Sequence, residues 1–304
     1  MTSELDFARS PVNSVIMGET NQIFNRELLK IRRNRTAQRG ADDTLKRELC
    51  LRLADRLEDV PRHFARALDL GCHGGQMVEL LLGSPKIGEL ISCDLSPAML
   101  EKARGMRVAA SEEALPFAPQ SFDLVMSAGS LHWVNDLPGA LAQIRRILKP
   151  DGLFVAIMPG PASLQELRES FAAIESAQGV LRPHIAPFAE VRDAGNLLAR
   201  AGFALPVADS DMLTLSYVTP LALLRELQAI GETNSLMTQE KGILPRSFFA
   251  QLCEYYAQHF ALENGRVRAS LELITLTGWA PHESQQRPAR RGSGNVSLKD
   301  VLGG

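Results

Sequence analysis

Residues 67–75, Ala-Leu-Asp-Leu-Gly-Cys-His-Gly-Gly, constrain the fold more than any other segment, because an apolar strand runs directly into a glycine-rich turn and then a helix. Such a turn brings backbone N–H groups and a helix N-terminus close to a ligand, where a Cβ would collide. A second apolar run, residues 89–94, ends in Asp94, 25 residues after Asp69. A carboxylate at the tip of the second strand accepts two hydrogen bonds from a ribose diol. The two features predict a nucleoside held across the carboxyl ends of a parallel sheet.

The same turn excludes two other nucleotide classes. No Gly-Lys-Ser/Thr follows the glycines, so a triphosphate fits poorly. The chain also contains no G-x-G-x-x-G, which argues against a dinucleotide.

Composition excludes further classes of function. The 304 residues are 45% apolar, enough for a packed core, and the formal net charge is −2, which argues against a general nucleic-acid binder. The four cysteines show neither C-x-x-C nor metal-like spacing, so reduced structural thiols are expected. Residues 1–7 lack the pattern of a secretion signal, and no apolar run approaches the ~20 residues that span a bilayer. We therefore expect a cytoplasmic protein without a transmembrane segment.

Short apolar strands alternate with amphipathic helices from residue 66 onward, which indicates parallel strands with helices on both faces. The predicted strands are 66–70, 89–94, 106–109, 122–127 and 152–158, with later ones near 205–215 and 267–277. The predicted helices are 75–82, 97–104, 137–148, 163–177 and 190–201, with two more within 21–58 and two within 219–262. The predicted fold class is α/β, a Rossmann-like, seven-stranded, mostly parallel sheet with a helical insertion before the last strand.

Four regions follow from this pattern. Residues 1–60 form N-terminal helices, residues 61–218 and 263–280 the nucleoside-binding domain, residues 219–262 a helical insertion or lid, and residues 281–304 a polar tail.

The N-terminal helices carry a basic cluster, Arg26 to Arg39, and a second cluster runs from Arg287 to Arg291. Each is interpreted either as a solvated face or as a docking surface for an acidic partner. The first helix carries Ile23, Phe24, Leu28 and Ile31 among its basic residues.

Three elements in this order resemble class I S-adenosylmethionine-dependent methyltransferases: the turn with Asp69, Gly71 and Gly75, the pair Asp94-Leu95, and the loop and strand at 114–125. The resemblance covers about 66–158. It implies that Gly71 and Gly75 line the methionine part of S-adenosylmethionine, that Asp69 orients the loop or the amino group, and that Asp94, with Leu95 beside it, holds the ribose.

Two positions depart from that pattern. His73 stands where the middle glycine of the turn is usual, so its side chain must point away from the cofactor. The acid that usually meets the adenine amine falls at Ser111, with Glu112 next to it. A serine accepts a hydrogen bond without charge assistance, which makes a weaker contact.

A longer resemblance runs nearly end to end, to the methyltransferase-like assembly factors of respiratory complex I. It rests on residues 23–26, 130–138, 183–188, 197–203 and 278–285. That family implies modification of an arginine in a complex I iron–sulfur subunit, by hydroxylation despite the methyltransferase architecture. The implied partner is a protein substrate, with peripheral contact to a membrane complex and no nucleic acid. Similarity to malonyl-carrier-protein methyltransferases of biotin synthesis is weaker and lies mostly in the nucleoside domain.

His132 and Trp133 follow the fourth strand, at the mouth where a substrate meets the cofactor. His132 is the candidate general base, and Trp133 would pack against an arginine or the sulfonium by cation–π attraction. A packing pair that closes the pocket is the alternative. A metal cluster of His132 with His184, His282 and Glu283 is a less favoured interpretation, and our assignment includes no metal.

Three functions remain open from the sequence. The first is an S-adenosylmethionine-binding enzyme that methylates or hydroxylates a protein side chain in complex I assembly. The second is a carboxyl O-methyltransferase for a malonyl-carrier protein or a small molecule, for which the basic cluster Arg26 to Arg39 would bind the acidic carrier. The third is a non-catalytic assembly chaperone, favoured by His73 and Ser111.

Overall fold

The structure, a computed structural model, describes residues 22–39, 43–177, 179, 181–238 and 244–286. Its strands are β1 Phe64–Leu70, β2 Ile87–Asp94, β3 Met106–Ala109, β4 Phe122–Ala128, β5 Leu148–Pro159, β6 Ala204–Tyr217 and β7 Val267–Trp279. Its α-helices are α1 Arg26–Arg39, α2 Thr44–Glu58, α3 Gln76–Leu81, α4 Pro97–Leu100, α5 Leu137–Ile147, α6 Gln165–Ser176, α7 Val191–Arg200, α8 Pro220–Ala229 and α9 Arg246–Phe260. A short 3-10 turn, Leu131–Trp133, follows β4.

The strands form one sheet in the order β3-β2-β1-β4-β5-β7-β6. β1 to β5 pair in parallel, whereas β7 runs antiparallel to both β5 and β6. In β1, Asp69 lies opposite Ser92 of β2 and Met126 of β4, so the carboxyl ends of these three strands meet at one edge of the sheet. This arrangement confirms the predicted seven-stranded, mostly parallel α/β fold.

Both faces of the sheet are covered. On one face α2, α6, α8 and α9 pack on alternate residues of the strands, including Leu124 and Val155. On the other face α5 and α7 pack on the intervening residues, including Val125 and Phe154. The central strands are therefore buried on both sides, which explains their nearly continuous apolar sequence.

Most predicted boundaries lie within a few residues of the observed ones, with two exceptions. β5 begins at Leu148 rather than 152, because the Lys149-Pro-Asp-Gly segment stays in the sheet across a register shift opposite Phe122 and Leu124. α4 ends at Leu100 rather than 104, because the next N–H groups bond three residues back: Lys102 to Met99 and Ala103 to Leu100.

The cysteines, the helical insertion and the chain end were also subjects of the sequence predictions. All four cysteines are free, and Cys50, Cys72 and Cys93 are buried. Among the described helices, none has the length and apolar character required to cross a membrane. α8 and α9 lie between β6 and β7, where the helical insertion was predicted, and its role as a lid stays a prediction. The predicted basic cluster Arg287 to Arg291 and most of the predicted polar tail lie outside the described residues.

Candidate cofactor and substrate site

Asp94 lies at the tip of β2, where its carboxylate faces the turn that follows β1. Its Oδ2 accepts a hydrogen bond from the backbone N–H of His73 at 2.9 Å, and its Oδ1 accepts one from Ser96 at 2.8 Å. The structure therefore joins the two segments from which a nucleoside site was predicted.

The two glycines of the turn have positive φ angles, +71° for Gly71 and +87° for Gly75. A Cβ on Gly71 would overlap the Ser130 side chain, and one on Gly75 would lie 2.7 Å from the Ala103 Cα. Both glycines are thus required by close packing within the protein as well as by their conformation. Their contact with a cofactor remains a prediction.

Arg33 of α1 is fully buried beside the same carboxylates. Its Nη1 lies 3.4 Å from Asp94 Oδ2 and 3.8 Å from Glu112 Oε1. Burial alone would lower the pKa of this guanidinium, but Asp94, Glu112 and Glu232 raise it above its usual value. The guanidinium therefore stays charged within the predicted cofactor crevice.

Arg26 contacts the residues predicted to lie on the adenine side of the cofactor. It pairs with Glu112, donates to the Ser111 hydroxyl at 3.1 Å and lies 3.4 Å from Glu113. Burial would raise the pKa of Glu112, but Arg26 and Arg33 lower it, so this carboxylate is ionised. The predicted adenine-side pair, Ser111 and Glu112, is thus held by Arg26, and its contact with the adenine stays a prediction.

Neither interpretation of the basic cluster holds for the arginines that turn inward. Arg33 is fully buried, Arg26 binds Glu112, and Arg32 donates to the Thr233 carbonyl oxygen at 3.0 Å. Of the apolar residues that lie among these arginines, Phe24 is buried, whereas Ile23 and Ile31 are exposed by 48% and 44%. The buried residues of α1 are Leu29, Arg33, Thr36 and Ala37, which places the arginine on the inward face.

Lys46 of α2 extends a buried ammonium to the ends of β1 and β4. It donates to the carbonyl oxygens of Gly71, at 3.2 Å, and of Ala128. Burial raises the pKa of nearby Asp69 to about 7, although Lys46 opposes this shift. Asp69 is therefore close to half protonated at neutral pH.

The side chain of His73 is buried and contacts the end of α8. Its Nε2 lies 2.8 Å from the Ile230 carbonyl oxygen at the end of α8. Burial, with the positive charges of Lys46 and Arg33, lowers the pKa of this imidazole, so it is neutral.

His132 and Trp133 converge on Glu232, a residue that the sequence analysis missed. Glu232 Oε2 lies 2.9 Å from His132 Nε2 and accepts a hydrogen bond from the Trp133 indole at 2.5 Å. Burial would raise the pKa of Glu232, but His132, Arg33 and Trp133 lower it to about 2. Glu232 lies just after α8, within the predicted helical insertion and next to Gly231.

His132, Trp133 and Glu232 line a cavity of about 300 Å³ over the carboxyl ends of β4 and β5. Leucines from α2, α6 and α8 form much of its wall, and Lys46 and His73 contribute polar atoms. Leu95 lies outside this set, packed partly buried against the small cluster of Phe24, Leu29, Trp133, Ala186 and Leu236. The cavity therefore adjoins the crevice described above and has one ionised carboxylate on its wall.

The candidates for a metal cluster do not come together. His184 pairs with Glu175 at 2.8 Å and stacks on Phe171, while exposed His282 contacts Ser284. Within the described residues no group of three or more His, Cys, Asp or Glu side chains has the geometry to hold a metal ion. Trp279 is partly buried, packs against the core and lies beside Arg62.

Comparison with known proteins assigns the central part of the chain. Residues 68–156 match the methyltransferase domain family, which confirms S-adenosylmethionine as the predicted cofactor. Among solved structures, the YcgJ protein of Bacillus subtilis is 18% identical, with a TM-score of 0.53, and the match covers 76% of this chain and 98% of that one. A Bacillus halodurans protein solved as a candidate methyltransferase, also 18% identical, has a TM-score of 0.52 over 76% of this chain and 99% of its own. Both share the fold.

The polar groups at the tips of β1 and β2, together with Arg33, are suited to bind such a cofactor. Several buried atoms there have no hydrogen-bond partner in the described part of the chain, among them Arg33 Nε and Nη2, Asp69 Oδ2 and His73 Nδ1. Buried polar atoms are rarely left unpaired, so these positions are suited to a polar ligand.

More similar relatives span almost the whole chain. Human mitochondrial arginine-hydroxylase NDUFAF5 is 40% identical over 291 residues, 93% of this chain and 84% of that protein. The Dictyostelium discoideum protein of the same name is 31% identical, over 92% and 71%. A malonyl-[acyl-carrier protein] O-methyltransferase of Gallionella capsiferriformans is 33% identical, over 79% and 86%. On fold, domain and near full-length similarity, the chain belongs to the family of the arginine-hydroxylase NDUFAF5 proteins, within the class I S-adenosylmethionine-dependent methyltransferases.

Proposed function

We propose that this protein modifies an arginine side chain of an iron–sulfur subunit during the assembly of respiratory complex I, and that the modification is hydroxylation. In that reaction dioxygen would supply the oxygen atom inserted into the side chain. An external two-electron reductant, with two protons, would reduce the second oxygen atom to water. The name of its 40%-identical human relative, an arginine hydroxylase, supports the acceptor and the reaction. Methyl transfer to the same side chain is the other outcome consistent with the domain, since bound S-adenosylmethionine supplies an electrophilic methyl group.

The ionised carboxylate of Glu232 is the observation that carries this proposal. It lies on the cavity wall, and its pKa of about 2 keeps it negative throughout the physiological range. A buried carboxylate recognises a guanidinium through charge-assisted hydrogen bonds. Trp133 and Phe188, which also line the cavity, offer aromatic faces to the same cation.

We assign the candidate substrate-binding and cofactor-binding residues to separate roles. Glu232 binds the substrate guanidinium, His132 accepts a proton through an imidazole nitrogen, and Trp133 packs on the substrate. The cofactor is held by Asp69, Gly71, Gly75, Asp94, Leu95, Ser111 and Glu112.

Mass spectrometry of complex I iron–sulfur subunits tests the function. Subunits isolated from cells with and without the protein are digested, and their arginine-containing peptides are compared. We expect one arginine to be heavier by one oxygen atom only when the protein is present; a gain of one methylene group would assign methyl transfer instead. An unmodified arginine in both samples would refute the proposal.

A matched pair of variants links the result to the site. Glu232→Gln keeps the shape of the side chain but removes its charge, and it should abolish the modification. Glu263→Gln changes an exposed glutamate far along the chain and should leave the modification intact.

Carboxyl O-methylation is the second candidate, because the malonyl-carrier-protein methyltransferases are 33–34% identical relatives and the cations Arg32 and Lys46 also line the cavity. Glu232 argues against it, since an ionised carboxylate repels a malonyl carboxylate. Methyl transfer from S-adenosylmethionine to a malonyl thioester, measured with purified protein, distinguishes the two.

The compartment belongs to this proposal as well. The sequence predicts the cytoplasm, while the arginine hydroxylases named above are mitochondrial. Fractionation of the source cells, with complex I subunits as markers, decides where the protein meets its substrate.

A further inference from the structure

We propose that Arg33 of α1 binds the carboxylate of the amino-acid end of the S-adenosylmethionine cofactor. The inference rests on the cofactor assigned to the proposed function, and it adds a binding residue from outside the methyltransferase domain at 68–156.

One edge of the Arg33 guanidinium lacks a partner. Nη1 faces Asp94 at 3.4 Å, but Nε and Nη2 are buried without a hydrogen-bond partner in the parts of the chain that the structure describes. Nε and Nη2 donate side by side from one edge of the planar group, the geometry that takes both oxygens of a carboxylate. An unpaired charged donor is costly to bury, so this edge is suited to an anionic ligand group.

Two unpartnered acceptors belong to the same cluster. Asp69 Oδ2 is buried without a partner among the described residues, and so is His73 Nδ1. His73 Nε2 faces a carbonyl oxygen, which only accepts, so Nε2 carries the proton and Nδ1 is an acceptor. The two donors of Arg33 and the two acceptors of Asp69 and His73, all without partners among the described residues, match a zwitterion, with its carboxylate on the donors and its ammonium on the acceptors.

Asp94 connects these groups. Its carboxylate contacts Arg33 and accepts the backbone N–H of His73, while Asp69 lies one strand away at the same sheet edge. The nucleoside predicted at Asp94 therefore has its amino-acid end within reach of Arg33. Because Asp94 and Glu112 balance the charge of Arg33, the guanidinium does not need the ligand in order to remain buried.

Calorimetric binding of two ligands to the full-length protein tests this assignment. S-adenosylhomocysteine carries the amino-acid end, and 5′-methylthioadenosine lacks it. We expect the wild-type protein to bind S-adenosylhomocysteine at least about tenfold more tightly, as a charge-assisted pair of hydrogen bonds implies. Arg33→Met should remove most of this preference while leaving the affinity for methylthioadenosine unchanged. Arg56→Met, which removes a surface arginine paired with Asp209, is the control and should bind both ligands as the wild type does.

Three results would overturn the inference. Equal affinity of the wild type for the two ligands would show that the amino-acid end is not recognised, and this measurement does not depend on a folded variant. If Arg33→Met lost affinity for both S-adenosylhomocysteine and methylthioadenosine, Arg33 would instead support the binding of the ribose through Asp94. Tighter S-adenosylhomocysteine binding in Arg33→Met would show that the arginine obstructs the crevice. Expected ligand binding together with an unmodified substrate arginine would refute the proposed function alone.

Discussion

Substitution of Gly75 by alanine tests whether the glycine-rich turn is fixed by packing within the protein. A Cβ at this position would lie 2.7 Å from both Cα and Cβ of Ala103, about 1 Å closer than carbon atoms normally approach. Since Ala103 Cα belongs to the backbone, the turn or the segment after α4 must shift. Overpacking of this kind costs about 1–3 kcal/mol, in addition to about 1–2 kcal/mol for an alanine at positive φ.

Gly83→Ala supplies the matched control. Gly83 has a similar φ, +78°, but no described atom lies within 4 Å of the position that a Cβ would take there. The conformational cost and the effect on the unfolded chain are shared, so the difference between the variants isolates the contact with Ala103.

Urea unfolding should show Gly75→Ala less stable than Gly83→Ala by about 1–3 kcal/mol. Ala103→Gly introduced into Gly75→Ala should recover only part of the loss, because Ala103 Cα lies as close as Cβ. Equal stability of Gly75→Ala and Gly83→Ala would refute the reasoning and leave the glycine to be explained by the ligand.

Three further substitutions give distinct results. Glu232→Gln should lower the free energy of unfolding by on the order of 3 kcal/mol at pH values above 4.5, the ordinary pKa of a glutamate. The reason is that the pKa of Glu232 in the folded protein is about 2. This difference between variant and wild type should disappear as the pH falls toward about 2. Asp69→Asn should remove a pH dependence of opposite sign: the folded state keeps a proton up to about pH 7 that the unfolded chain releases near 3.8, so wild-type stability falls across that window. Lys46→Met should lower stability by about 1–3 kcal/mol in thermal unfolding, because the Gly71 and Ala128 carbonyl groups lose their buried donor. A pH-independent loss in Glu232→Gln, an unchanged pH profile in Asp69→Asn or a fully stable Lys46→Met would each contradict the corresponding assignment.

The sheet and the tips of β1 and β2 were predictable because their signals are local. Residues 67–75 combine an apolar run with glycines, and Asp94 ends the next apolar run. Parallel strands place such ends side by side, so Asp69 and Asp94 required no knowledge of distant contacts.

The charged residues around these tips were not predictable in the same way. Glu232 meets His132 from 100 residues further along the chain, and Arg33 meets Asp94 across 61 residues. Arginines on a helix normally mark its solvated face, so the basic cluster did not indicate that Arg33 points inward. One signal was present: Leu29, Arg33 and Ala37 are spaced by four residues, so a stripe through Leu29 includes the arginine.

The reason why the turn requires glycine at positions 71 and 75 also differed from the prediction. The sequence suggested that a ligand excludes a Cβ at the turn. In the structure, Ser130 and Ala103 already exclude it at Gly71 and Gly75. A glycine motif alone does not reveal whether the neighbouring atoms belong to the ligand or to the protein.

The partners of α1 bear on the order in which the chain acquires its structure during synthesis. Arg26 and Arg33 pair with Glu112 and Asp94, which lie 86 and 61 residues further along the chain. Arg32 donates to Ser235 across 203 residues. A nascent chain leaves the ribosome N-terminus first, so this helix emerges long before the groups that neutralise its arginines exist. Pairings at such separations form late, since a long loop must close before they contribute. We therefore expect α1 to dock last, with its cationic face open to chaperones or to premature contacts until translation has passed the loop after α8.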